Sequence, residues 1–308
     1  MTIQKYLIII IQLLISFLCL FFIFDKIFSK NPNYEFRIIS NYINLFYLIF
    51  IMFMGYVLNS FRLKIIVHDK ISFLDILKAN IISSFFSNIN SLGSDIIRVY
   101  MFKKKMKLIS SFTYVLCDRI IGLTSKLILI IISLLLLIKI NFILIIFALL
   151  TLIFLVYFLF SKIIPFFIIK FKKYKFYKKI MFDETIFYKI AKTQKLLSLI
   201  SVSLIAHFFQ VLFIYLISFF YDNNILFMHS LLVGPITMVL SALPVSFGGW
   251  GIRELTMIAG YNFFDIQTEV ALSISITIGL ISLFVSFFLT VILFIINFIN
   301  NLRTLNND

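Results

Sequence analysis

Charged side chains are scarce in this sequence: 13% of its 308 residues are Asp, Glu, Lys or Arg, while 62% are hydrophobic. A water-soluble domain of this length needs far more polar surface than that. Cysteine is nearly missing as well. Cys19 and Cys117 stand alone without paired spacing, which excludes a disulfide framework and a cysteine-built zinc site. The three histidines, His68, His207 and His229, lack the spacing of a metalloprotease helix and read as ordinary packed or interfacial residues. No glycine-rich nucleotide loop follows a strand-like run, so no cofactor, no metal and no nucleotide energy source is expected. Short alternating segments are absent too, which excludes a membrane β-barrel.

What the chain does have is long apolar runs. Residues 6–24, 42–58, 127–138, 141–160, 196–220 and 270–296 carry few or no charges. A spanning helix needs roughly 20 such residues. The fold class expected is therefore all-α, a polytopic membrane helix bundle forming a single transmembrane domain over 1–308. The first run is followed by DKIFSKNPN, which offers no small-residue cleavage site, so it reads as a retained span.

The net charge of +15 matters less than where it falls. Ten Lys lie between Lys162 and Lys195, five basic residues between Arg98 and Lys107, and Arg62, Lys64 and Lys70 form a third cluster. Basic loops are cytoplasmic. Lysines that flank spans face anionic headgroups, so nucleic acid is not the expected partner. The stretch 71–92 begins and ends at basic clusters and carries Asp75, Lys78, Asn80, Asn88 and Asn90. It reads as a re-entrant hairpin, since irregular backbone at membrane depth must be covered by protein or water. Asp75 and Lys78 are expected to satisfy each other. The path becomes six full spans plus two re-entrant hairpins, both termini inside. The halves 1–160 and 196–300 are joined by a basic cytoplasmic loop, 161–195. The location expected is the cytoplasmic membrane of a prokaryote.

Two motifs interrupt the apolar pattern at corresponding places. GSDIIR (93–98) and GGWGIRE (248–254) each combine Gly with an Arg opening a helix, and each follows an apolar stretch. The preceding spans run in opposite directions, the pattern of an inverted repeat. In the first motif, Gly93 suits a turn, Ser94 an N-cap and Asp95 the first helical turn. Arg98 lies one turn beyond Asp95 and can pair with it. In the second, Pro244 ends a helix and Gly248, Gly249 and Gly251 expose backbone N–H groups. Arg253 and Glu254 then open a helix. Glycine beside an Arg at a helix start suits close approach of a phosphate, which Arg engages in a planar fork. Ionisable residues at membrane depth are functional candidates. Asp118, Arg119 and Lys126 share a helix face, lining the same cavity or anchoring the interface. Trp250 reads as an interfacial anchor.

LPVSFGGWGIRE (243–254), NSLGSDIIRVYMFKKK (90–105) and CDRIIGL (117–123) together resemble, in order and spacing, the lysylphosphatidylglycerol synthase transmembrane-region, or flippase-like, family. Ser94 stands where the family has a second Gly. The resemblance implies a lipid-handling integral membrane protein. Its best-known members carry a soluble aminoacyl-transferase domain. Only ten residues follow Phe298 here, so lysine transfer is not expected. The leading expectation is a flippase-like protein that binds and translocates a phosphate-bearing lipid, phospholipid or polyprenyl-linked. Arg98 with Asp95 would serve the inner side, and Arg253 with Glu254 the outer side or midplane. The alternatives are an accessory subunit docking a partner transferase through 161–195, and a membrane transferase using Glu254, Asp95 or Asp118 as base. The Phe-rich spans suit a homodimer seam as well as lipid contact.

Overall fold

The computed structural model describes residues 42–88, 90–137, 186, 190, 193–243 and 245–305. Among them the regular structure is entirely helical. The elements are α1 (Tyr42–Val67), α2 (Phe73–Ser87), α3 (Ser91–Phe102), α4 (Leu108–Leu137), α5 (Thr193–Tyr221), α6 (Phe227–Ser241), α7 (Ile252–Asn262) and α8 (Thr268–Leu305). Four of these, α1, α4, α5 and α8, are long and apolar enough to cross a membrane. The chain is a multi-pass membrane protein. Its α1, of 26 residues, is about 39 Å long at 1.5 Å per residue, more than the ~30 Å hydrocarbon core. By the same rule α2, of 15 residues, reaches only about 22 Å. The expected spans at 6–24 and 141–160, most of the 161–195 loop, Pro244 and the N-terminus lie outside the described residues.

The bundle is organised around α1 and α5, which share the most extensive interface. The two run antiparallel. The end of α1 (Leu63, Ile66, Val67) packs with the start of α5 (Leu196, Leu199, Ile200) in one apolar cluster. The start of α1 (Leu48) packs with the end of α5 (Phe213, Ile214, Ile217) in a second. Between the clusters both helices turn polar on one face. The residues are Tyr56, Asn59 and Arg62 on α1, and Ser203, His207 and Gln210 on α5. Spacings of three and four keep each set on a single stripe. Exposed positions carry large apolar groups, including Phe46 and Phe50 on α1 and Phe284, Phe288 and Phe294 on α8.

Two helical hairpins complete the bundle. α2 and α3 form one, α6 and α7 the other, and the packing is reciprocal. The span following the first hairpin, α4, packs on α6. The span following the second, α8, packs on α2. With antiparallel α1 and α5, this exchange is the packing pattern that an inverted repeat of 42–137 and 193–305 calls for. Local chemistry sets the hairpin boundaries. Ser72 caps α2 by accepting from the Asp75 N–H at 3.3 Å. Close crossings hold the second hairpin together: a β-carbon on Gly260 of α7 would meet Val233 Cγ1 of α6 at 2.8 Å. Tyr261, fully buried, joins its hydroxyl to Ser218 of α5 at 2.7 Å and Ser230 of α6 at 3.0 Å.

Several local expectations need correction. α3 begins at Ser91, so Gly93 is helical, without positive φ, and Ser94 lies inside the helix instead of capping it. The return leg of the first hairpin is α3 itself, which carries the hairpin on to Phe102. α4 begins at Leu108, earlier than expected, because 108–119 is continuous with the span. Asp75 pairs with Lys105, not with Lys78.

Candidate functional site

A cavity of about 400 Å³ opens between the polar stripes of α1 and α5. The first motif contributes Ser94, Asp95 and Arg98, the second Gly248 and Arg253, and α4 contributes Asp118, Arg119 and Lys126. The two arginines at glycine-containing segments therefore face one shared hollow. Both are largely withdrawn from the surroundings, with side chains 14% exposed for Arg98 and 11% for Arg253.

A chain of ion pairs forms one wall. Asp118, 2% exposed, accepts from Arg62 Nε at 2.6 Å and Nη2 at 3.0 Å, and from Arg98 Nη1 at 2.9 Å. Arg98 continues to Asp95 through Nη2, and Asp95 accepts in turn from Arg119. Arg119 Nη2 donates to the carbonyl of Ala242 at 3.1 Å, tying the chain to the end of α6. The wall thus links α1, α3, α4 and the second hairpin. Its carboxylates are fully engaged, but Arg98 Nε is buried without a partner among the described residues.

The opposite wall is built from the second motif. Gly248, Gly249 and Gly251 all have positive φ, at 60°, 81° and 88°. Gly251 caps α7, and its N–H donates to Glu254 Oε2 at 2.5 Å. Glu254 Oε1 accepts from Arg253 Nη2 at 2.7 Å and from Ser275 Oγ of α8 at 3.0 Å. The Arg253 guanidinium lies 4.3 Å from the Trp250 ring centre, a cation–π contact. Trp250 therefore supports the arginine; it is not only an interfacial anchor. Gly249 and Gly251 shape the turn and leave the cavity lining to Gly248. The Gly251 N–H expected to meet a phosphate is taken by Glu254.

Lys126 differs from the arginines. Its side chain lines the cavity, yet among the described residues it makes no hydrogen bond or ion pair. It also borders a second chamber of about 350 Å³ lined by Ile51, Met52, Phe213, Ile214, Met257 and Ile278. That chamber is mainly apolar and shares Tyr56, Asn59, Gln210 and Arg253 with the polar cavity. The Thr237 hydroxyl on its wall is buried without a partner among the described residues.

Sequence reasoning missed three groups here. Arg62, in a basic cluster, read as a cytoplasmic residue, but it is 6% exposed and locked to Asp118. His207, dismissed as packed, presents Nε2 to the Gly122 carbonyl at 3.1 Å and Nδ1 to Gln210 at 2.9 Å. The carbonyl only accepts, so the neutral ring carries its proton on Nε2, and Nδ1, which faces Gln210 Oε1, is matched when the Gln210 amide turns to present its NH2. Gln210 was missed with it. Their signal was present: two polar groups three residues apart in an otherwise apolar span.

The lysylphosphatidylglycerol synthase TM region family model matches residues 9–290, and the chain belongs to that family. No curated protein and no solved structure matches it.

Proposed function

We propose that this member of the lysylphosphatidylglycerol synthase TM region family binds a phosphate-bearing lipid at mid-bundle and moves it between leaflets. One observation carries the reading: a cation-lined polar cavity runs directly into an apolar chamber, with Arg253 and Lys126 on the shared border. An amphiphile fits that junction, headgroup to the arginines and tail to the apolar wall. Arg98 and Arg253 supply fork-shaped donors for phosphate oxygens. Inverted halves that meet at a central site are the usual frame for alternating access. The membrane would be the cytoplasmic membrane of a prokaryote, with the N-terminus inside and lipid as the partner. We assign no catalytic role to Glu254, Asp95 or Asp118, because each is engaged by arginine.

The test is reconstitution into liposomes containing a fluorescent anionic phospholipid, with a membrane-impermeant quencher outside. The protein is expected to carry inner-leaflet lipid to the quencher, and Arg98→Ala and Arg253→Ala to abolish that movement. Wild-type rates in both variants, or no protein-dependent movement of any phospholipid or polyprenyl phosphate, would overturn the reading.

A further inference from the structure

The cavity does not balance its own charge. Among the described residues five cations face it, Arg62, Arg98, Arg119, Lys126 and Arg253. Three carboxylates answer them: Asp95 and Asp118 on the wall, and Glu254 behind Arg253. With His207 neutral, two positive charges are left over. The surplus has a location. Each arginine touches a carboxylate, whereas Lys126 touches none among the described residues. It stands at the border of the polar cavity and the apolar chamber, where a headgroup would join its tail. Among the described residues Arg98 Nε is a further buried donor without a partner.

We infer that the lipid taken by this site is a phosphomonoester, whose terminal phosphate carries close to two negative charges at neutral pH. The inference rests on the lipid-phosphate reading above and narrows it. A phosphodiester headgroup such as phosphatidylglycerol brings one negative charge and leaves one cation unmatched. A zwitterionic headgroup brings no net charge. A lysyl-esterified headgroup brings added ammonium groups into a cavity that already has a surplus. In a poorly solvated site, unmatched like charges are strongly disfavoured. A terminal phosphate has a second ionisation near pH 6 and three acceptor oxygens, enough to meet Lys126, Arg98 and Arg253 together. Lys126 is then the specificity-determining residue.

Trp250 is the only tryptophan in the chain, and it stacks on Arg253. Its fluorescence gives a direct binding readout for the full chain in detergent micelles. The probes are phosphatidic acid, a polyprenyl phosphate, phosphatidylglycerol, phosphatidylcholine and inorganic phosphate. At about pH 7, where the monoester is mostly a dianion, phosphatidic acid should bind tenfold or more tightly than phosphatidylglycerol. The preference should shrink at about pH 5, where the monoester regains a proton. Protonation of His207 would add positive charge and favour anions, the opposite sign. Asp95, Asp118 and Glu254, the other groups facing the site, would also add positive charge on protonation. Lys126→Gln should erase the preference and Lys126→Arg restore it, which separates a charge effect from a folding defect. The two monoester arms decide between a diacylglycerol and a polyisoprenoid tail. Equal affinity for phosphatidic acid and phosphatidylglycerol, unmoved by Lys126→Gln, would overturn the monoester inference and leave the lipid-phosphate reading standing. Inorganic phosphate binding as tightly as either monoester would overturn it as well, assigning a free-anion site. Binding of no phospholipid and no polyprenyl phosphate would sink both.

Discussion

The guanidinium of Arg253 on α7 lies flat across Gly279 on α8, where a β-carbon would come within 2.7 Å of Cζ. A second pair repeats the arrangement more loosely. A β-carbon on Gly122 of α4 would stand 3.2 Å from Arg62 Nη1. The two glycines occupy Ile-Gly-Leu triplets, 121–123 and 278–280, in the spans that follow the two hairpins. Each half of the molecule therefore seats a cavity arginine on a side-chain-free patch of helix.

Gly279→Ala should displace Arg253 and abolish lipid movement as completely as Arg253→Ala. Helix propensity favours Ala over Gly by about 1 kcal/mol, but overpacking at this contact costs about 1–3 kcal/mol. Gly122→Ala needs a shift of only a few tenths of an ångström, so the two terms should nearly cancel. Melting in detergent alongside the liposome assay checks the contrast. Equal behaviour of the two variants would show that the seat at Gly279 is not required.

Asp118→Asn should destabilise the protein by about 3–5 kcal/mol, because it leaves Arg62 and Arg98 buried without their shared counter-charge. Adding Arg62→Met should recover part of the loss. A double-mutant cycle in reversible denaturant unfolding measures the coupling. A coupling near zero would mean that the wall is held by packing alone.

Antiparallel α1 and α5 make a topological prediction. Lys104 lies beyond the first hairpin, beside the end of α1 through the Lys105–Asp75 pair, and Asn223 lies at the far end of α5. Both are exposed. In a background with Cys19 and Cys117 replaced, Lys104→Cys and Asn223→Cys should react with an impermeant maleimide from opposite faces of sealed vesicles. Labelling from the same face would refute the inverted arrangement.

The Asp75 carboxyl at the head of α2 is held below its usual value by the hydrogen bond from Lys105, and next by that from Ser72, against the opposing effect of burial. A carboxyl depressed in the folded state stabilises above its unfolded value of about 3.8, and loses that contribution as pH falls through the lower folded value. Lys105 and Asp75 are 49% and 37% exposed, so solvent screens the pair and the effect is small. Asp75→Asn should melt slightly below wild type at neutral pH, and the gap should close below about pH 4. A gap that persists in acid would assign the effect to the helix cap instead.

Membership of a polytopic helical bundle is legible in the apolar runs, since a bilayer demands about 20 uncharged residues per span. The paired motifs are legible too. Arg98 and Arg253 sit at the same distance from a glycine, and neither belongs in hydrocarbon without a purpose. The hidden part is instructive. Arg62 lies at the end of an apolar run among other basic residues, and nothing in the chain distinguishes it from Lys64, which meets the backbone carbonyls of His68 and Ile71. Only the arrival of Asp118 from α4, 56 residues away, turns it inward. Gly93 and Ser94 look like a turn and a cap, but the helix starts at Ser91 and carries both within it.

By itself, then, the sequence determined the medium, the helical class and the two places where the apolar pattern breaks, because hydrophobic length and backbone-breaking residues act locally. The tertiary structure alone decided that both breaks face one cavity, that Lys126 pairs with no carboxylate among the described residues, and that Gly122 and Gly279 seat arginines. Those outcomes depend on which helix faces meet, and a helix face carries no mark of its partner until the chain has packed.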